Sequence, residues 1–137
     1  MQHSIMAIVV CMTITPALAA DFAACDPGGT QIEMTACAVD DLDVADRKLN
    51  ETYKALMKKE AANKPFVEKL RAAQKAWVAF RDAELAAMFA CDNADPDVCW
   101  GSMTSQCYSS YQAKMTRERT KRLAQFLEQG QPADECH

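Results

Sequence analysis

Large apolar residues recur at spacings of three and four along most of this chain, the period of one face of an α-helix. Leu42, Ala45, Leu49, Tyr53 and Leu56 form one such stripe, with Arg47, Lys48, Glu51, Lys54 and Lys58 opposite it. Leu70, Trp77, Phe80 and Met88 form a second, with Arg81 and Asp82 directly after the aromatics. Tyr108, Tyr111, Met115, Leu123 and Phe126 form a third. No alternating pattern long enough for a strand interrupts them, so the expected fold class is all-α.

The punctuation divides the stripes. Asp26-Pro27-Gly28-Gly29 reads as a turn. Thr30 with Glu33 three residues on fits a capping box and opens a short helix through about Ala38. Asp40-Asp41-Leu42-Asp43 looks like a second helix start, with carboxylates where the dipole favours them, and that helix reaches about Ala61. Asn63-Lys64-Pro65 closes it and opens the next, because proline is tolerated in a first turn. The middle helix runs from Phe66 to about Cys91, and a polar loop with a breaker follows at Asp92-Asn93-Ala94-Asp95-Pro96-Asp97. Ser102 is the expected cap of the last long helix, which Gly130 and Pro132 stop. The expectation is a short N-terminal helix plus three long helices in an up-down-up bundle, with the middle helix packed against both neighbours.

The first twenty residues differ from the rest. An apolar run from Ile5 through Thr15 ends in Ala17-Leu18-Ala19-Ala20, the layout of a secretory signal peptide, although Met1-Gln2-His3-Ser4 carries no Lys or Arg. The expected cut follows Ala19 or Ala20 and leaves a single domain over residues 21–137. Losing the leader removes Cys11 and leaves Cys25, Cys37, Cys91, Cys99, Cys107 and Cys136. Six cysteines in a short exported chain read as a disulfide framework in an oxidising place, the periplasm or the exterior. A net charge of −4 argues against nucleic-acid binding and favours encounter with a basic partner.

Three segments carry a family resemblance. Gln31-Ile32-Glu33-Met34-Thr35-Ala36-Cys37-Ala38 with Cys25, and Ala45-Asp46-Arg47-Lys48-Leu49-Asn50-Glu51-Thr52-Tyr53, form the first. Gln74, Trp77 and Phe80-Arg81-Asp82-Ala83-Glu84 form the second. Gly101-Ser102, Cys107 and Thr116-Arg117-Glu118-Arg119-Thr120-Lys121-Arg122-Leu123 form the third. In this order they resemble the LprI-type lysozyme-inhibitor family over nearly all of the chain after the leader. The resemblance implies a small helical, disulfide-bonded envelope protein; the family's named member is a mycobacterial lipoprotein that inhibits lysozyme. It also implies a Cys25–Cys37 bridge. Members often carry a cysteine directly after the Arg-Asp-Ala-Glu run, where this chain has Leu85, so Cys107 is expected to pair with Cys91 or Cys99. Cys136 sits in the tail.

Candidate chemistry is sparse. Beyond the leader the only histidine is His137, so no Ser-His or Cys-His arrangement can be built. Asp82 and Glu84 stand two apart and point in different directions on a helix, which is unsuited to a glycosidase pair. The expectation is no enzyme and no cofactor. Asp92, Asn93, Asp95 and Asp97 are oxygen donors, but Ala94 and Asp97 stand where an EF-hand needs a ligand and a glycine. The methionines are spread over several helices, which suits core packing better than copper binding. Phe22-Ala23-Ala24 before Cys25 is a poor lipidation site, so no stable membrane anchor is expected.

The best interface candidate is the acidic loop with its tryptophan: Asp92, Asn93, Asp95, Asp97, Trp100 and Ser102. Gln74, Trp77, Phe80, Arg81 and Asp82 are expected to be structural, with Arg81 reaching Asp46 or Glu118 and Asp82 reaching Arg117 or Arg119. The leading expectation is inhibition of a lysozyme-like muramidase by occlusion of its cleft; the alternative is a non-inhibitory helical binding module of the envelope.

Overall fold

The computed structural model describes residues 25–131. Residues 1–24, which include the expected leader, and the tail with Cys136 and His137 lie outside the described residues. Four helices follow in order: α1 (Gln31–Lys59), α2 (Lys64–Met88), α3 (Pro96–Trp100) and α4 (Thr104–Gln129). Among the described residues there is no strand and no helix long and apolar enough to cross a membrane.

The all-α, disulfide-stapled bundle stands, with three long helices and a short one, but the short helix lies elsewhere. The expected N-terminal helix is the first part of α1, which continues unbroken past Asp40-Asp41-Leu42-Asp43. No glycine or proline between Gln31 and Lys59 forces a break, and exposed Asp40, Asp41 and Asp43 are solvated on the helix surface. The short helix is α3, opened by Pro96 inside the acidic loop.

The expected capping box opens α1. The Thr30 hydroxyl accepts from the Glu33 backbone N–H, while the Glu33 carboxylate accepts from the Thr30 N–H at 2.7 Å. Those bonds, the backbone one foremost, hold the Glu33 carboxyl below the ordinary carboxylate value. Asn63 caps α2, its side chain accepting from the Phe66 N–H. Ser102 caps nothing. Met103 occupies the N-cap of α4 without a side-chain bond, and the Thr104 hydroxyl donates back to the Gly101 carbonyl at 2.6 Å. Gly101 and Gly130 end α3 and α4 with positive φ, which favours glycine.

The chain runs up, down, up, so α1 and α4 are parallel. Gln31 bonds Gln106 near their N-terminal ends, and Lys59 donates to the Leu127 carbonyl near their C-terminal ends. These two form the closest pair, not α2 with its neighbours. The cause is size. Buried Ala38, Ala45 and Thr52 on α1 and buried Ala113 and Thr116 on α4 let the two backbones approach. Bulky side chains keep α2 farther away.

The core is Leu49, Leu56, Leu70 and Leu123, with Tyr53, Met57, Phe66, Trp77, Phe126 and Leu127 against it. The ring of Phe66 meets that of Phe126 edge-on at 5.9 Å. The stripe on α1 holds, whereas those on α2 and α4 are partly rotated out. Phe80 is 59% exposed, and Tyr108 and Tyr111 are exposed. On α4 the inward line is Ala113, Thr116 and Leu123, because the small residues facing α1 set the helix's rotation.

Cys25 and Cys37 are joined and tie the lead-in to α1. The expected partner of Cys107 is overturned: Cys91 and Cys99 bridge each other, and Cys107 is a half-buried thiol with no partner among the described residues. The eight-residue separation places both cysteines in the one loop that α3 folds, so the loop staples itself.

Candidate interface at the acidic end

The turn from α2 into α4 builds the most distinctive surface. Local bonds shape it: the Asn93 side chain accepts from the Asp95 N–H, and the Asp95 carboxylate accepts from the Asp97 N–H, each at 3.0 Å. Asp92, Asn93, Asp95, Asp97, Trp100 and Ser102 are all exposed on it. Among the described residues, no group of three or more His, Cys, Asp or Glu comes together that could hold a metal ion.

Trp100 does not stand alone. Half-buried Phe89, the cap of α2, is the hub of an aromatic cluster, with Trp100 edge-on at 6.1 Å, Tyr111 edge-on at 6.0 Å and Tyr108 tilted at 5.4 Å. Trp100 is 49% exposed, and Val98, Met103 and Met88 beside it along the chain are exposed too. Tyr111 and Met88 continue into an open groove of about 480 Å³ between α2 and α4, floored by Trp77, Phe80 and Met115. Lys114, Arg119 and Arg122 line it with Glu84 and Glu118. Desolvation, more than neighbouring Arg122, lowers the pKa of Arg119, and Lys121 at 2.9 Å lowers that of Glu118.

The charges are sorted by end. From Cys25 to Asp46 the chain has Asp26, Glu33, Asp40, Asp41, Asp43 and Asp46 and no Lys or Arg. From Asp82 to Ala113 it has Asp82, Glu84, Asp92, Asp95 and Asp97, again with no Lys or Arg. The up-down-up topology puts these two stretches at one end. All fifteen Lys and Arg residues lie in the remaining parts, Arg47–Arg81 and Lys114–Arg122; Arg81, Lys114 and Arg117 stand at the boundary, Arg117 reaching back to Asp41, and most of the rest lie toward the other end. The modest net charge of −4 conceals this separation. The gap in Lys and Arg is visible in the sequence; its meaning depends on which helix ends meet.

Residues 23–123 match the model of the family described as Lysozyme inhibitor LprI. The chain belongs to the LprI family. It is also 30% identical over 115 residues to an uncharacterized protein of Rhizobium meliloti (strain 1021), covering 76% of this chain and 78% of that one. No solved structure matches.

The LprI segments recognised in the sequence meet at Asp46. The Thr116 hydroxyl, fully buried on α4, donates to Asp46 at 3.3 Å, and Arg81 of α2 lies 4.0 Å from the same carboxylate. The expected partner of Arg81 is therefore found, but its shorter pairing is with neighbouring Asp82 at 2.8 Å. Asp82 consequently reaches neither Arg117 nor Arg119. Arg117 pairs with Asp41 at 2.7 Å, and Arg119 donates to Gln74 at 3.0 Å. Arg81 also lies over the Trp77 ring, 5.3 Å from its centroid. Of Gln74, Trp77, Phe80, Arg81 and Asp82, both aromatics also line the groove, and Phe80 is the exposed one of the two.

Proposed function

We propose that this LprI protein binds and inhibits a lysozyme-like muramidase, docking by its acidic end and occluding the enzyme's cleft. Family membership supports the inhibitor class. The observation that carries the choice of surface is the coincidence, at one end, of a zone without Lys or Arg and an exposed aromatic cluster around Phe89 and Trp100. Acidic charge would speed encounter with a basic enzyme, and aromatic side chains would supply contact area. On this reading the protein acts outside the cytoplasm after removal of residues 1–20, as a single domain over 21–137; the two disulfides fit an oxidising compartment.

The test is a lysis assay with purified, oxidised protein against lysozymes of several classes. Inhibition is expected, and Trp100→Ala should weaken it by about 2 kcal/mol, roughly thirtyfold in affinity, without loss of helicity. No inhibition of any lysozyme at micromolar protein refutes the function. Inhibition that Trp100→Ala leaves intact refutes the surface.

A further inference from the structure

The end opposite the proposed interface has its own character. It comprises the second half of α1, the first half of α2 and the second half of α4, brought together by the α1–α2 turn. Asn63 in that turn bonds Gln131 just past α4, and Phe66 packs on Phe126. Thirteen of the fifteen Lys and Arg residues, all but Arg81 and Lys114, lie in these half-helices, against Glu51, Glu60, Glu68, Glu118 and Glu128 among the described residues. Thirteen of the fifteen are exposed, the exceptions being half-buried Arg81 and Arg119.

Apolar exposure is sorted the opposite way. Trp100, Met103, Val98, Tyr108, Tyr111 and Ile32 are exposed at the acidic end, whereas among the described residues the basic stretches expose only Val78 and Phe80 as large apolar residues, both past the middle of α2. One half therefore offers apolar contact and negative charge, and the other offers positive charge almost alone.

We infer that the basic half associates peripherally with an anionic phospholipid surface. The charge is complementary and unneutralised: Lys54, Lys58, Lys64 and Lys69 are exposed and bond no other side chain among the described residues. The cations are spread over all three long helices and line no channel, which suits an extended anionic sheet better than a threaded polymer. The aromatic rings described at this end, Tyr53, Phe66 and Phe126, are half-buried against the core and offer bases no exposed stacking platform, in contrast to single-strand nucleic-acid sites. With so little apolar side chain to insert, the association is electrostatic and reversible, and needs no anchor. A molecule held this way presents its acidic, aromatic end outward. α4 has 26 residues, so that end stands roughly 39 Å from the lipid if the helices are upright.

Co-sedimentation of the purified, oxidised protein with vesicles tests this. Vesicles of equal parts phosphatidylglycerol and phosphatidylcholine should bind it, and phosphatidylcholine alone should not. Raising salt from about 0.1 M to about 1 M shortens the Debye length from about 10 Å to about 3 Å and should release it. The variant K54Q/K58Q/K64Q/K69Q, confirmed folded by circular dichroism, should bind at least about tenfold more weakly. The variant D92N/D95N/D97N should bind as the parent does. Equal binding to both vesicle types, binding that survives high salt, or parental binding by the lysine variant overturns the inference. So does capture by a soluble polyanion such as heparin without capture by vesicles. The lysis assay reads the other end, so neither failure mimics the other.

Discussion

Leu123→Ala should destabilise this protein more than Trp77→Ala, although tryptophan is much the larger residue. Leu123 has no exposed surface and sits among Leu49, Leu56 and Leu70, with contributions from all three long helices. Truncating a leucine in such a site costs about 2.7–5 kcal/mol, more where the walls cannot collapse. Here the α1–α4 pair is held close by alanines and threonines, so relaxation is limited, and about 3–4 kcal/mol is expected. For a domain of this size each kcal/mol lowers Tm by about 4–5 °C, giving a fall of roughly 12–20 °C. Trp77 is half-buried at the edge of the same core. Full burial would make its truncation cost about 3–5 kcal/mol, and half burial brings that to about 2 kcal/mol, including a weak stacking contribution from Arg81. Thermal and urea unfolding by circular dichroism, with disulfides intact, measure both variants. If Trp77→Ala loses more stability than Leu123→Ala, the core has been placed on the wrong helix pair.

Other outcomes follow from the same contacts. Thr116→Val removes the buried hydroxyl that serves Asp46 while keeping its shape, and should cost about 1 kcal/mol in urea unfolding. The Glu33 carboxyl has a folded pKa below its ordinary 4.5, so its contribution is present above about pH 4.5 and is lost as pH falls through the folded value. Glu33→Gln should accordingly flatten the acid limb of Tm against pH; an unchanged limb refutes the cap's role. Gly29→Ala would put a Cβ 2.5 Å from the Glu33 carboxylate, displacing it from the cap and lowering the thermal unfolding midpoint. In stopped-flow binding to a basic lysozyme, D92N/D95N/D97N should slow association and flatten its salt dependence, with little change in dissociation.

Local signals were the legible ones. Thr30 with Glu33, Asn63 before Pro65, and Gly130 mark real helix ends because the chemistry is contained within a few residues. Asp40 to Asp43 misled for the same reason: a carboxylate that can cap can equally sit solvated on a helix surface, and only a break in the backbone distinguishes the two. The rotation of α2 and α4 was not legible. Trp77 and Phe80 share an apolar stripe and both line the groove, yet only Trp77 also leans on the core, since contacts between α1 and α4 dictate how much room α2 has. Those contacts are made by alanines and threonines, which a search for large apolar residues overlooks. The Cys91–Cys99 bridge followed from the α3 turn, which Pro96 and the Asp95 cap create inside what reads as a plain loop. Trp100 stood out as a tryptophan, but its cluster around Phe89 needed the turn to bring α2 and α4 together.

The parallel pairing of α1 with α4 bears on how the chain acquires its structure during synthesis. The contacts that close this pair join residues far apart in sequence: Gln31 to Gln106, Asp46 to Thr116, Asp41 to Arg117. Synthesis proceeds from the amino terminus, so α1 exists long before its closest partner. Until α4 emerges, the face carrying Ala38, Ala45, Leu49 and Leu56 has only α2 to rest on, and α2 lies too far out to seal it. A nascent chain ending before α4 therefore holds an uncovered apolar stripe, and completion of the last helix converts it to the native pair in one long-range step. Shortening the chain from its C-terminal side should thus be far more damaging to solubility than the small size of the missing piece suggests.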